Sequence, residues 1–451
     1  MASPSPFYGW YGDDFTGATD TLSALAEQGR RALLFLRIPT PAQMAAAGPL
    51  DALGIAGATR SMAPDAMALE LDEAGRFFAG QGVSILHYKC CSTFDSAPHV
   101  GSIGAAVRAL RPHFRNPFLP VVGGQPNLGR YCLFGNLFAA AGIGGPVHRI
   151  DRHPTMSVHP VTPMAEADLR RHLAAQGFER IALVDYRSYD ETAQDALATG
   201  LATEPDAVLL DVSSVSDLAV IGRLISQRLG QLPMLAVGPS SVAQSLAGVW
   251  GEAVDHADLP QGDRSPMRDG PVLALVGSLS PVTRNQVEGA SGFGKLAIDP
   301  QRLLGDPAYI EALRQETVRL LADGNVMLIT DRPSQAPENA GGVAAATGLL
   351  LRAIIAETRL SRLIVAGGDT SSLAIKSLDI WGLSYRAPLV AGAPLCRAHS
   401  DDEHLDGLDI VLKGGQMGPP DFFALAQNVI VHGNAPSSWT SRAAAQIRDP
   451  S

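Results

Sequence analysis

The sequence predicts an α/β protein of two domains with largely parallel sheets and a ligand cleft between them. Three observations carry that reading: short apolar runs recur along the chain, Ala- and Leu-rich segments of helical period separate them, and a polar break falls near residue 255.

The apolar runs lie at 7–10, 32–36, 53–56, 85–88, 181–184, 207–210 and 234–237. Runs this short, bounded by turn residues, suit strands rather than helices. Segments at 19–28 and 103–110 have helical spacing, so strand and helix alternate and a parallel sheet covered on both faces is the economical arrangement. The stretch 255–270 is rich in Asp, Gly and Pro and reads as a linker. Beyond it the alternation resumes, with a strand at 271–276, a helix at 309–322, a strand at 326–330, a helix at 341–357, and strands at 363–366 and 410–412. The expected division is therefore 1–254, a linker 255–270, 271–432, and a polar, poorly ordered tail at 433–451. A chain of 451 residues exceeds one ordinary core, and 46% hydrophobic against 18% charged residues excludes wholesale disorder.

A formal net charge of −10 disfavours nucleic acid or an anionic membrane as the main partner. No apolar stretch is long enough to span a bilayer and no basic, then apolar, leader precedes Tyr8, so a cytoplasmic location is expected. Cys90, Cys91, Cys132 and Cys396 lack zinc-ligand spacing and read as reduced thiols without a chemical role. No repeat period of solenoid type occurs.

Candidate chemistry sits where strands end. Gly12-Asp13-Asp14-Phe15-Thr16-Gly17 joins the first strand to a helix. Two carboxylates there can accept a hydroxyl proton or help hold a magnesium ion, or can serve only to cap the helix. Thr59-Arg60-Ser61 puts an arginine fork beyond the strand at 53–56, although a lone arginine equally solvates a surface. Lys89-Cys90-Cys91-Ser92-Thr93-Phe94-Asp95-Ser96 gathers an ammonium, a carboxylate and hydroxyls after the strand at 85–88. A polyhydroxylated acid needs such short donors and acceptors. Gln125, Asn127, Arg130 and His159 are further polar candidates for the same cleft.

In the second half, Gly367-Gly368-Asp369-Thr370-Ser371 runs from a buried strand into a helix, which suits a phosphate held by backbone amides. Gly277-Ser278 and Lys413-Gly414-Gly415-Gln416 also follow strands, and three glycine-bearing loops fit a nucleotide pocket better than one. The stretch from Gly289 to Lys295 has P-loop spacing but lacks the following Ser or Thr and stands between a helix and a strand, the reverse of a P-loop. No Gly-x-Gly-x-x-Gly opens a βαβ unit.

In these residues the chain resembles the four-carbon acid sugar kinases, a family once known only as a domain of unknown function. The marks are Asp13-Asp14-Phe15-Thr16-Gly17-Ala18, Thr59-Arg60-Ser61, Cys91-Ser92-Thr93-Phe94-Asp95-Ser96, His159-Pro160-Val161-Thr162-Pro163-Met164 and Gly367-Gly368-Asp369-Thr370-Ser371, in that order. The loop from Ser92 to Ser96 is similar to the 3-oxo-tetronate kinase branch.

The resemblance implies an acid-sugar-binding N-terminal lobe, a nucleotide-binding C-terminal lobe and phosphorylation of a small acid sugar with ATP and Mg2+. The implied substrate is a 3-oxo-tetronate or a related acid such as 3-oxo-isoapionate, with D-threonate or D-erythronate as alternatives. Ser278, Gly367, Gly368, Asp369, Thr370 and Gly415 are expected to hold ATP. Arg60, Ser61, Lys89, Asp95, Ser96, Asn127 and His159 are expected to bind substrate, with Arg60 and Lys89 on its carboxylate, and Asp13 or Asp14 is expected to take the hydroxyl proton. Metal ligands and oligomeric state, a homodimer included, stay open. Readings from other classes are a dinucleotide-dependent oxidoreductase and a sugar-acid sensor without turnover.

Overall fold

The computed structural model describes residues 7–142, 144–159, 161–230, 232–250, 265–277, 280–330, 340–367 and 374–429. Strand β1 (Tyr8–Gly12) is buried along its whole length. It feeds α1 (Phe15–Ala26), whose first turn is capped by the Asp14 carboxylate accepting from the Gly17 amide. The helix therefore starts four residues before the Ala/Leu pattern at 19–28 begins, because the cap rather than the apolar period sets its origin.

The first half continues through β2 (Ala32–Phe35), α2 (Pro41–Ala47), β3 (Ala52–Ala56), α3 (Pro64–Gly80), β4 (Ile85–Lys89), α4 (Ile103–Leu110) and β5 (Pro120–Val122). A small antiparallel sheet follows, made of β6 (Arg130–Leu133), β7 (Asn136–Ala140) and β8 (Val147–Arg149). The half closes with α5 (Leu169–Ala174), β9 (Ile181–Val184), α6 (Ala193–Leu201), β10 (Ala207–Leu210), α7 (Asp217–Ser226), β11 (Met234–Gly238) and α8 (Ser241–Ala247). The second half holds β12 (Val272–Val276), α9 (Pro281–Gly289), β13 (Gly294–Ile298), α10 (Pro300–Gly305), α11 (Pro307–Asp323), β14 (Val326–Thr330), α12 (Ala340–Glu357) and β15 (Arg362–Ala366). It ends with the long hairpin β16 (Ile380–Val390) and β17 (Ala393–Ser400), then β18 (Asp409–Lys413) and α13 (Phe422–Asn428).

The expected strands form, but they form one sheet. Fifteen strands run in the order β13-β14-β12-β15-β18-β17-β16-β2-β3-β1-β4-β11-β5-β10-β9. Each half is parallel, and the β16–β17 hairpin joins them with antiparallel pairings to β2 and β18. The seam between halves pairs Gly382 with Phe35 and Leu383 with Leu34, beside the stacked rings of Phe35 and Trp381. One apolar core runs through the seam, holding Leu34 and Leu36 together with Ile380, Leu383 and Cys396.

Strand order places the site. In the first half the chain visits β2 and β3 on one side of β1 and then β4 on the other; in the second it visits β13 and β14 on one side of β12 and then β15 on the other. β1 and β12 therefore sit at the two reversal points, where a crevice opens at the carboxyl ends of parallel strands. The residues just beyond them are Asp13 and Asp14, and Gly277.

A buried ionic cluster fastens the second half. Asp409 lies 3.2 Å from Arg362 and 2.8 Å from Arg386, and the three side chains are almost wholly buried. Arg362 also donates to the carbonyls of Ala426, Gln427 and Val429, which holds α13 against the sheet. Arg386 donates to the Ser265 carbonyl, at the described end of the expected linker. Residues 255–264 and 433–451 of the expected division lie outside the described residues.

Candidate active site

A cavity of about 550 Å3 lies where the carboxyl ends of β1, β3 and β4 face those of β12, β15 and β18. On the first wall, Asp13 and Asp14 are both nearly buried, at 2% and 3% exposure. Arg60, on the single turn after β3, donates to Asp13 through Nε at 3.2 Å and Nη2 at 2.9 Å, and its Nη1 lies 2.9 Å from Asp14. Lys89 ends β4 with Nζ 4.0 Å from Asp14. The Asp14 carboxylate also accepts from the Thr16 hydroxyl at 2.6 Å and the Gly17 amide at 2.8 Å.

Electrostatics separates the two acids. Burial pushes both carboxyls up, but at Asp14 the charges of Arg60 and Lys89 and the two hydrogen bonds outweigh it, so its pKa is lowered and the group is ionised at neutral pH. At Asp13 burial prevails over the Arg60 guanidinium, with the neighbouring Asp14 charge adding to it, and the pKa is raised. Asp14 lines the cavity and Asp13 does not. The Asp13 carboxylate accepts from Nε and Nη2 of Arg60 and so orients the guanidinium. Lys89 stays a cation, since the two carboxylates overcome the burial that would otherwise discharge it. Two anions and two cations thus stand within ion-pair reach of one another on this wall.

The next wall is the loop after β4. Cys91, Ser92, Thr93 and Asp95 line the cavity, and the Thr93 hydroxyl donates to Asp95 at 2.5 Å. Burial pushes the thiols of Cys90 and Cys91 up, against any thiolate role. Ser96 points elsewhere: its hydroxyl donates to the Phe94 carbonyl and bonds His172 and Gln176, each at 2.8 Å. The turn at Phe94, with φ of 56°, sends Asp95 and Ser96 in different directions. Ser61 is exposed, bonded to the Ala58 carbonyl, and Asn127 is exposed on the turn Pro126–Leu128. Neither lines the cavity.

Gln125, Arg130 and His159 do line it. Gln125 donates to Asp20 at 2.8 Å, and His159 accepts from the Thr162 amide at 3.1 Å through Nδ1. His153 is held likewise, its Nδ1 accepting from the amides of Thr155 and Met156, and burial lowers its pKa. Sequence reasoning did not single out Asp20, His153, Thr155 or Met156, which share this wall. Asp20 had a signal: it follows Gly17 by three and Thr16 by four, the spacing of one helix face.

Across the cavity stand Gly277, Ser280, Pro281, Gly367, Gly414, Gly415, Gln416 and Met417. Gly367 has φ of 129°, a backbone state that a side chain would strain. Gly415 is anchored by its carbonyl, which accepts from the Thr283 hydroxyl at 2.6 Å. Lys413, wholly buried, donates to that hydroxyl at 2.8 Å and to the Gly414 carbonyl at 3.0 Å. Burial lowers its pKa to about 7. Ser278, Gly368, Asp369 and Thr370 lie outside the described residues. The stretch with P-loop spacing joins the end of α9 to β13, helix before strand, and lies apart from the cavity.

Among the described residues no helix is long and apolar enough to cross a membrane, and no three His, Cys, Asp or Glu side chains gather as a metal site.

Residues 8–246 match the family model described as a sugar-binding N-terminal domain, and residues 273–423 match the nucleotide-binding C-terminal domain. The chain is 38% identical over 448 residues to a 3-oxo-isoapionate kinase of Paraburkholderia graminis, covering 93% of each. It is 32% identical to a 3-oxo-tetronate kinase of Methylobacterium radiotolerans, over 94% of this chain and 99% of that one. A solved Salmonella typhimurium LT2 protein, named as a tRNA synthase, superposes with a TM-score of 0.74 at 27% identity, covering 93% of this chain and 98% of its own. A Haemophilus influenzae protein, at 24% identity and a TM-score of 0.66 over 93% and 99%, shares the fold. Matched along both halves and nearly end to end, the chain belongs to the four-carbon acid sugar kinase family.

Proposed function

We propose that this protein transfers the γ-phosphate of ATP to a hydroxyl of a small 3-oxo acid sugar of the 3-oxo-isoapionate or 3-oxo-tetronate type. The observation that carries the reading is the single cavity in which Asp14, Arg60, Lys89 and Asp95 face the glycine turns at 277, 367 and 415. One wall offers carboxylates and cations to a polyol acid, and the other offers close backbone approach to phosphate.

Asp14, ionised and lining the cavity, accepts the proton of the attacking hydroxyl. Arg60 fixes Asp14 and, with Lys89, donates to the sugar oxygens. Asp95 and His159 complete the hydrogen bonds around the hydroxyls and the keto group. Little covalent help is required, because phosphoryl transfer depends on alignment and charge neutralisation. Mg2+ carried on the nucleotide phosphates supplies that neutralisation when bound. Such an ion asks for one or two protein carboxylates rather than a full cage, and Asp14 and Asp20, both on the cavity wall, have the hard oxygen donors it prefers.

The test is ADP release with magnesium-ATP against 3-oxo-isoapionate, 3-oxo-tetronates, D-threonate and D-erythronate. A rate confined to the 3-oxo acids is expected. Turnover of threonate or erythronate alone overturns the substrate, and reduction of a nicotinamide dinucleotide by the acids without ADP release overturns the reaction class.

A further inference from the structure

We propose that Arg130 is the carboxylate anchor of the substrate site, holding the acid end of the sugar while Asp14 takes the hydroxyl to be phosphorylated. The inference rests on the kinase reading above and assigns a residue that the reading leaves without a role.

A substrate carboxylate needs a cation whose charge is not already spent. Arg60 and Lys89 do not meet this need, because they face Asp13 and Asp14 at ion-pair distances and the four charges cancel. Arg130 lines the same cavity, at the start of β6. Among the described residues no carboxylate lies within ion-pair distance of it, and its Nε is buried without a hydrogen-bond partner. Asp95 and Asp20 act on it only from farther away, and each is engaged, by Thr93 and by Gln125.

A partly buried guanidinium without a counter-ion weighs against the stability of the protein that carries it. Its presence on a cavity wall is explained when an anion arrives with the ligand. The rest of the side chain is built to wait for one. Nη1 donates to the Leu128 carbonyl, which fixes the plane of the fork; Nε is closed off from solvent, so a carboxylate meets the guanidinium from its Nη side through charge-assisted hydrogen bonds. Burial, the main influence on the group, lowers its pKa, in keeping with a charge that lacks compensation. His153, also on this wall, has its Nδ1 accepting two amides and its pKa lowered, so it remains a neutral neighbour that does not compete for the acid.

The experiment compares wild type, Arg130→Gln and Arg130→Lys in steady-state ADP release, each with the preferred 3-oxo acid and with its carboxamide, after circular dichroism has established that the variants fold. Arg130→Gln is expected to raise KM for the acid by about thirtyfold or more and to leave KM for ATP within about twofold. The carboxamide, a poor substrate of wild type, is expected to suffer no further loss, so the preference for acid over amide collapses. Arg130→Lys, keeping the charge without the fork, is expected to fall between. An acid-to-amide preference unchanged in both variants, or a rise in KM for ATP with none for the acid, overturns the assignment. Wild type that turns over no acid at all removes the kinase reading itself, and the anchor with it; wild-type turnover with indifferent variants removes only the anchor.

Discussion

Gly17 gives the sharpest perturbation of the site, because it separates catalysis from stability. A β-carbon placed there would stand 1.7 Å from Lys89 Nζ, 2.7 Å from Lys89 Cε and 2.6 Å from Asp14 Oδ1. Ordinary contact requires roughly 3.5 Å, so in Gly17→Ala the ammonium has to retreat by about 2 Å. Lys89 starts 4.0 Å from Asp14, with both side chains about 5% exposed or less. Moving unit charges from about 4 to about 6 Å at an effective dielectric of about 20 weakens their attraction by roughly 1.4 kcal/mol, a factor of about ten. Asp14 then shifts toward protonation and the cavity loses a donor. The backbone effect runs the other way, since alanine is favoured over glycine in a helix by up to about 1 kcal/mol. The expected result is a fall of tenfold or more in kcat/KM for the acid, with a melting temperature unchanged within a few degrees. Coupled ADP release and a thermal melt on one preparation measure both. Wild-type kcat/KM in the folded variant would refute the assigned packing of Lys89 against α1.

Asp14→Asn is expected to lower kcat by about a hundredfold or more while ATP still binds, since it removes the proton acceptor together with the charge that faces Arg60 and Lys89; full turnover would sink that role. Lys413→Met tests the buried lysine through pH. With a folded pKa of about 7 against an ordinary 10.5, the wild-type protein releases this proton before the unfolded chain does, so wild type gains stability relative to the variant as pH rises from about 7 toward 10. The slope should approach 1.4 kcal/mol per pH unit at most, and a pH-independent difference between the two melts would contradict it. Asp409→Asn strands Arg362 and Arg386 in the core and is expected to cost about 3–5 kcal/mol in a denaturant titration, where a loss below 1 kcal/mol would show the cluster to be dispensable.

Much of this was legible because strands of parallel sheets are buried on both faces and announce themselves as apolar runs, and because ligand groups collect just past their ends. Asp14, Arg60, Lys89 and Asp95 each follow such a run, and each lines the cavity. Ser61 and Ser96 stand one residue beyond and turn away, because direction depends on local backbone such as the positive φ at Phe94, which composition does not reveal. Asn127 and Arg130 belong to one irregular stretch, and only the fold decides which enters the cleft. Residues 380–400 escaped notice as strands for a related reason. β16 changes register at three places along the hairpin, so the alternation that marks a half-buried strand is broken. Missing that hairpin is what made one sheet read as two.

The seam between β2 and β16 bears on modularity. The chain reads as two cassettes, one for the sugar and one for the nucleotide, and each matches its own family model. Yet cutting between them would strip β2 of its neighbour and leave the backbone of Leu34 and Phe35 as an open edge, with a share of the apolar core uncovered. Open edges of that kind recruit other chains. An excised half is thus expected to be aggregation-prone, because neither cassette finishes its own sheet.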